Sequence, residues 1–260
     1  MLAQPTEAQI LGIIADVSLT QKVELLDGTK APAQFLLYDC LRREQSLVVG
    51  PQPAVRSEAA RILDLAQAAY RDLVGLLAGR DDALLEQARD GDWSLRDLLR
   101  HAIAVELRYA AQVDWGATRR DEDPVPIPDE RLSCDRLSPP EPEFADARSA
   151  GMARVLELLG TARARSDLLD ALPNDALGKP TLWAKLPMTV RMRVHQMAAH
   201  LTEVVIQAEK CLARYGPDTD ARRIVRRCAA MRGAHDRWSE GAARAEIDAD
   251  YRRIADASTR

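Results

Sequence analysis

The sequence predicts an all-α fold, and three observations support that prediction. Hydrophobic residues make up 47% of the 260 residues but aromatic residues only 4%, so the core must be aliphatic. Strands favour β-branched and aromatic side chains, so this composition favours packed helices over sheets. Apolar residues also recur at helical spacing, and the segments end where Pro and Gly cluster. A chain of this length can bury a large core without disulfides.

The first 52 residues predict an N-terminal helical hairpin, which we assign to residues 1–52. Apolar residues at helical spacing predict a first helix over residues 6 to 26, ending at the turn signal Asp27-Gly28. A second helix is predicted over residues 33 to 49. It must stop before the Gly-Pro-Gln-Pro run at residues 50–53, because proline cannot continue a helix.

Residues 57–215 predict a four-helix bundle with a long crossover. Ser94 followed by Asp97 resembles a capping box, so the second bundle helix should begin at Leu95. Six prolines between Pro124 and Pro142 exclude a regular helix there and predict the long connection between the second and third helices. The four helices are predicted at about 57–77, 95–114, 144–171 and 189–215.

Residues 217–260 predict a C-terminal helical extension with helices at about 221–238 and 242–257. Asp218 or Asp220 is the expected cap of the first of these helices. The extension carries an arginine-rich segment, which we interpret as a solvated helix face. We expect the extension to contribute packing and solubility rather than chemistry. The arginines are Arg222, Arg223, Arg226, Arg227 and Arg232.

Composition and missing motifs argue against several function classes. The formal net charge of −4 makes nucleic acid a poor partner. The sequence has no G-x-G-x-x-G, Walker or G-x-S-x-G motif, which weakens nucleotide binding and common hydrolase mechanisms. We expect no signal peptide and no membrane span, because no basic leader or long apolar run occurs. The four cysteines lie far apart, which argues against a zinc ribbon or disulfide framework and favours the cytoplasm.

Only four histidines are present, so their placement is informative. His101 and His200 lie on the flanks of the apolar stripes of the second and fourth bundle helices. His195 points about 140° away from His200 around the helix. His235 lies among charged residues, where we expect a solvated side chain.

Two segments resemble motifs of the DinB/YfiT-like family of four-helix bundles. The segment Asp-Trp-Ser-Leu-Arg-Asp-Leu-Leu-Arg-His, residues 92–101, resembles the family's second helix, in which Trp-Ser leads to a metal-binding histidine. The segment His-Leu-Thr-Glu-Val-Val-Ile-Gln, residues 200–207, resembles the fourth-helix motif His-x-x-x-His followed by Gln. The resemblance covers about residues 57–215.

The resemblance implies a metal site. In that family three histidines bind a divalent metal such as zinc, nickel or iron, and known members include thiol S-transferases and a mycothiol-dependent isomerase. His101 and His200 match two of the three ligands, but the third position is Val204, which cannot donate to a metal. Glu203 is a candidate substitute ligand. Asp97 and Gln207 are candidate partners of the histidines.

Two functions remain open at this point. On the first hypothesis, the chain descends from metal-dependent enzymes of the thiol-dependent transferase or hydrolase type and has an incomplete histidine triad. On the second, it is a non-catalytic bundle that binds a small molecule or acts as a dimeric interaction module. On the first hypothesis a divalent metal binds weakly. On the second, His101 and His200 are hydrogen-bonded remnants of a metal site. We expect a homodimer on the basis of the family, whereas the substrate cannot be identified from the sequence.

Three further side chains are expected to be structural. Trp93, before the second bundle helix, and Trp183, before the fourth, are expected to close the ends of the bundle rather than to bind a ligand. Cys211 has no neighbouring histidine in the sequence to activate it, so we expect a buried thiol.

Overall fold

The computed structural model describes residues 6–52, 56–88, 93–132, 142–183, 185–239 and 241–259. Across these ranges the fold is all-α, as predicted, with two short β hairpins. None of the helices in the described ranges combines the length and apolar character needed to span a lipid bilayer. The helices are α1 (Glu7–Ala15), α2 (Ala33–Val49), α3 (Glu58–Leu77), α4 (Leu95–Thr118), α5 (Met152–Ala164), α6 (Val190–Leu212), α7 (Asp220–His235) and α8 (Ala242–Ser258); the strands are β1 (Lys22–Glu24), β2 (Lys30–Pro32), β3 (Pro180–Trp183) and β4 (Leu186–Thr189).

Side-chain caps fix where several helices begin. The Ser94 hydroxyl accepts a hydrogen bond from the backbone N–H of Asp97 at 3.1 Å, which starts α4 at Leu95 as predicted. The predicted cap of α7 was wrong. Thr219 caps this helix, while Asp218 forms an ion pair with Arg80 instead.

The bundle consists of α3, α4, α5 and α6. Helices α4 and α6 run antiparallel, because His101 contacts His200 while Gln112, farther along α4, contacts Arg193 earlier in α6. Helix α6 also packs on α3, and α4 packs on α5. Aliphatic side chains fill the core, and Leu99 and Ile103 of α4 and Leu201 of α6 are fully buried. Part of the predicted crossover, residues 133–141, lies outside the described residues, as does Cys134.

The predicted N-terminal helical hairpin was wrong in part. Helix α1 ends at Ala15 rather than near residue 26, and β1 and β2 pair antiparallel between α1 and α2. In this hairpin Val23 is buried while its two neighbours are exposed, an alternation of period two that a short strand requires. Asp27 accepts hydrogen bonds from the backbone and side chain of Thr29, and Gly28 adopts φ 78° to close the turn.

The third bundle helix is also shorter than predicted. Helix α5 covers only Met152–Ala164 and is flanked by 3-10 segments at Pro142–Arg148 and Arg165–Ala171. Its N-terminus is fixed from outside, because Asp82 accepts a hydrogen bond from the backbone N–H of Met152 at 2.6 Å. The loop predicted before the fourth helix is an antiparallel hairpin of β3 and β4.

Both terminal segments pack on the bundle and on each other. Helix α7 lies against α3 and α2, and α8 lies against α1 and α2. Two glycines permit the close approach of α3 and α7: a Cβ at Gly75 would lie 2.8 Å from the Cα of Arg226, and one at Gly233 would lie 2.6 Å from the carbonyl oxygen of Gln67. The boundaries 1–52, 57–215 and 217–260 stay a prediction.

The arginine-rich segment is not the solvated face that we predicted. Arg226 donates to Asp72 at 2.7 Å and to Glu209 at 2.6 Å, so it joins α7 to both α3 and α6. Arg232 is buried and donates to Glu44 of α2 at 2.9 Å. Only Arg223 and Arg227 are exposed. The segment is therefore largely a packing surface whose charges are paired across helices.

The expectation of a solvated His235 was wrong. Its side chain is fully buried, and its Nε2 lies 2.5 Å from Oε2 of Glu44 while its Nδ1 bonds Ser239. Tyr251 of α8 donates to the same carboxylate at 3.1 Å. Glu44 thus joins α2 to α7 and α8, and a buried carboxylate with several donors is a stable arrangement where a bare one is not.

Candidate functional site

The structure brings His101 and His200 together. His101 lies in the second turn of α4 and His200 in the middle of α6, and because these helices are antiparallel the two side chains meet across their interface. The Nε2 atoms are 3.2 Å apart, and the ring planes are inclined by 76°. Two neutral imidazoles at this distance share one hydrogen bond, in which one Nε2–H donates to the other Nε2.

Aromatic side chains enclose the pair on two sides. The ring of Trp93 packs edge-on against His101 with a centroid distance of 4.7 Å, and Tyr109 lies 5.9 Å from His200. Trp93 is therefore in contact with the site, not only at the end of the bundle. Trp183 in β3 is about half exposed. We conclude that the histidine pair is a partly buried polar feature with an aromatic wall.

Burial holds His200 in its neutral form. Removal from water, with a smaller contribution from neighbouring His101, lowers the pKa of His200 to about 4. Its Nδ1 is buried and has no hydrogen-bond partner in the described part of the chain. Burying a ring nitrogen without a partner carries a desolvation cost.

The position of the third family ligand is apolar. Val204, one turn after His200, is 1% exposed and belongs to the hydrophobic core. No group of three His, Cys, Asp or Glu side chains is placed to hold a metal within the described ranges. At the three positions that correspond to the family's histidines, the chain therefore has two histidines and one valine.

None of the predicted substitutes completes the set. Glu203 is exposed, although its charge reaches Tyr109 and contributes to the raised pKa of that phenol, for which burial is the main cause. Asp97 is bonded to Ser94 and Arg100, and Gln207 accepts from Lys210 at 3.4 Å. His195 is exposed, so it stays apart from the pair.

The separation of the two nitrogens nevertheless suits a metal. Zinc holds imidazole nitrogens at about 2.0–2.1 Å in tetrahedral geometry, which places two such nitrogens roughly 3.3 Å apart. The observed 3.2 Å between the Nε2 atoms matches that spacing. The same distance is also an ordinary hydrogen-bond length, so the spacing is compatible with either a hydrogen-bonded pair or a pair of metal ligands.

Sequence reasoning missed three polar residues that continue the site along α4 and α6. The guanidinium of Arg193 lies 4.2 Å above the Tyr109 ring, is 2% exposed, and donates to the side-chain oxygens of Gln112 and Gln196. Arg193 precedes His200 by seven residues, two helical turns, which puts both on one face of α6. That spacing was the signal available in the sequence.

The fold and the site define the class of protein: a four-helix bundle that gathers histidines between its second and fourth helices. A model of the DinB superfamily matches residues 63–203, more than half of the chain, so the chain belongs to the DinB superfamily. Among solved structures it is similar to YfiT from Bacillus subtilis, described as a probable metal-dependent hydrolase with an unusual four-helix bundle topology. The two share 16% identity and a TM-score of 0.48 over 64% of this chain and 93% of that one. No curated protein matches the sequence.

Proposed function

We propose that this DinB-superfamily protein descends from metal-dependent enzymes of the thiol-dependent transferase or hydrolase type and keeps an incomplete metal site that binds divalent metal weakly. The observation that supports the proposal is the 3.2 Å separation of the two Nε2 atoms beside the buried side chain of Val204. On this proposal His101 and His200 are two ligands for an ion such as zinc, nickel or iron, and a valine stands at the position of the third.

The residues present do not complete a catalytic metal centre. Catalytic zinc sites use three protein ligands and keep the fourth position for water or substrate. A metal-binding histidine also usually donates its second ring nitrogen to an acceptor, whereas Nδ1 of His200 lacks a partner among the described residues. We therefore assign no reaction step to a metal, and the substrate and any thiol cofactor stay open.

The histidine pair has chemistry of its own. His200 is neutral at neutral pH, so its imidazole can accept one hydrogen bond and donate another. A polar ligand that replaces the bond between the two Nε2 atoms would find one donor and one acceptor. This is the arrangement that the second hypothesis, a small-molecule binder, requires.

Metal titration tests the proposal. The protein is dialysed against a chelator and titrated by calorimetry with zinc and then with nickel. We expect weak metal binding, and His200→Ala should abolish it. His195→Ala changes an exposed histidine on the same helix and should leave the titration unchanged. Tight one-to-one binding in the native protein would show that the site is complete, with Glu203 as the first candidate ligand. Residual binding that survives His200→Ala would show that the metal lies elsewhere.

We also propose a cytoplasmic homodimer. The described cysteines Cys40, Cys211 and Cys228 are buried and form no disulfide within the described ranges, as a reducing compartment permits, and Cys211 agrees with the expectation of a buried thiol. The dimer rests on the family resemblance. Light scattering should report twice the 28.8 kDa chain mass at micromolar concentration, and a single 28.8 kDa species throughout would contradict it.

A further inference from the structure

Helix α6 carries a row of exposed side chains along one face. Met192, Ala199 and Ile206 follow one another at intervals of seven residues, so they lie nearly in line along the helix. Met192 is 53% exposed and Ile206 is 47% exposed. A single exposed apolar side chain is ordinary, but apolar residues repeated at helical spacing are typical of a face that another element covers.

Two polar residues flank this face symmetrically. His195 lies four residues before Ala199, Glu203 lies four residues after it, and both side chains are exposed. Within the described ranges neither forms a hydrogen bond or an ion pair. Glu58 is a neighbouring carboxylate of His195, but Arg191 already donates to it at 2.5 Å. Five residues thus form what we call the α6 stripe: Met192, His195, Ala199, Glu203 and Ile206.

The α6 stripe is complementary to a second copy of itself. When two α6 helices pack antiparallel with their Ala199 residues opposite each other, residues at equal distances on either side of Ala199 lie at the same height. Met192 of one chain then lies beside Ile206 of the other. The imidazole N–H of His195 likewise meets the carboxylate of Glu203, which can accept its hydrogen bond. The short side chain of Ala199 lets the helix axes approach to the usual distance of about 8–10 Å.

This symmetry favours a second copy over an unrelated partner. Each residue of the stripe has its complement at the mirror position, an apolar side chain for an apolar one and an acceptor for a donor. The exposed apolar residues of α2 lack this property. The midpoint between Phe35 and Val49 is Arg42, so two copies joined there would bring two guanidinium groups together.

Exposed apolar side chains at both ends of α6 extend the surface. Trp183 and Leu186 lie in the β3–β4 hairpin, directly before the helix, and Tyr215 lies just after it. Antiparallel packing brings the hairpin of one chain to the Tyr215 end of the other. Contacts there would add apolar area toward the roughly 800 Å² per partner that stable interfaces bury.

We propose that the α6 stripe is the contact surface of a homodimer, in which two α6 helices pack antiparallel about a two-fold axis at Ala199. The inference rests on the homodimer proposed above and names its surface. It requires no metal, because His195 points about 140° away from His200 around the helix and the two sites use different faces.

Sedimentation equilibrium of the full-length protein in the presence of a chelator tests this surface. Native protein should have twice the chain mass of 28.8 kDa. Ala199→Arg should be a 28.8 kDa monomer across micromolar concentrations, because by symmetry two bulky cations would meet at the axis. Ala245→Arg, the same change at an exposed alanine of α8, should remain a dimer. Circular dichroism checks that both variants fold.

A charge exchange tests the antiparallel pairing. Glu203→Lys removes the acceptor of His195, and the loss occurs twice in each dimer, so the dissociation constant should rise at least about tenfold. Combining it with His195→Glu restores opposite charges and should return the dissociation constant to within about threefold of the native value. Positions 195 and 203 lie roughly 12 Å apart along one helix, so this rescue reports a contact between chains.

A dimer of Ala199→Arg would overturn the inference while the homodimer itself stands, and so would equal dissociation of Ala245→Arg. If Ala199→Arg does not fold, an unchanged dissociation constant in Glu203→Lys overturns it instead. A double variant as weak as Glu203→Lys would overturn the antiparallel register. A monomeric native protein would contradict the homodimer and with it this surface, whose partner would then be a different protein. Because the chelator removes metal, none of these outcomes bears on zinc binding by the histidine pair.

Discussion

Replacing Val204 with histidine should rebuild a three-histidine metal site. His200 and position 204 are one helical turn apart on the same face of α6, and His101 already lies 3.2 Å from His200 across the interface. The new imidazole would therefore face a pair of nitrogens that have the spacing of zinc ligands.

The expected gain in affinity can be worked out from the number of ligands. Four-ligand zinc sites in small domains are worth about 10–16 kcal/mol, or roughly 3 kcal/mol for each ligand. Adding the third nitrogen should therefore tighten zinc binding by about 10² to 10³-fold. Partners of the ligands contribute a further 10 to 100-fold in native sites, and the lack of a partner at Nδ1 of His200 limits this part of the gain.

Stability in the absence of metal should fall. Val204 is 1% exposed, so the larger imidazole overfills a packed position at about 1–3 kcal/mol, and its polar atoms need partners that the core does not supply. Saturating zinc should restore the stability, because a ligand that binds only the folded state raises the unfolding free energy.

Calorimetric zinc titration and thermal unfolding of Val204→His check these values against native protein. Val205→His is the matched control, since it places the same side chain in the same buried stretch of α6 but about 100° around the helix. Equal and weak zinc binding by native protein, Val204→His and Val205→His would refute the reasoning, because it would mean that His101 and His200 do not converge in solution.

Two further predictions concern buried titratable groups. His200 should titrate near pH 4 when it is followed by NMR. Because the unfolded side chain binds its proton near pH 6.5, the unfolding free energy should fall by up to about 3 kcal/mol as the pH is lowered from 6.5 to 4. His200→Gln should abolish this part of the decline. Glu44→Gln should lower the unfolding free energy in urea by about 3–5 kcal/mol, because Arg232 and His235 lose a buried anion. Burial opposes the ionisation of Glu44, but the hydrogen bonds that it accepts from His235 and Arg232 outweigh burial and lower its pKa. The stabilisation by the Glu44 carboxylate is therefore present above about pH 4.3 and is lost in acid. A loss below about 1 kcal/mol in Glu44→Gln would contradict the prediction.

The limits of sequence reasoning are clearest in the N-terminal segment. Helix α2 was predicted with the bounds that the structure shows, because proline on both sides and a regular apolar pattern define it locally. Strand β1 was mistaken for the end of the first helix and β2 was not predicted, since three-residue strands are too short to show a period of two. Strand pairing also depends on a partner several residues away.

The sequence by itself determined the all-α class, the positions of most helices, the DinB membership and the two histidines of the candidate site. Each of these depends on local information: helical periodicity, caps such as Ser94, and short motifs around His101 and His200. The membership is confirmed by the family match, whereas the metal role stays a prediction.

Only the tertiary structure decided the surroundings of the charged side chains. We predicted from the sequence that His235 and Arg232 are solvated, yet both are buried against Glu44, which lies nearly 200 positions away along the chain. Arg193 likewise has a sequence neighbourhood like that of any surface arginine, but it is buried and meets no carboxylate in the described part of the chain. The physical reason is that the free energy of a charge depends on solvent access and on partners in three dimensions, and neither is encoded within one helix.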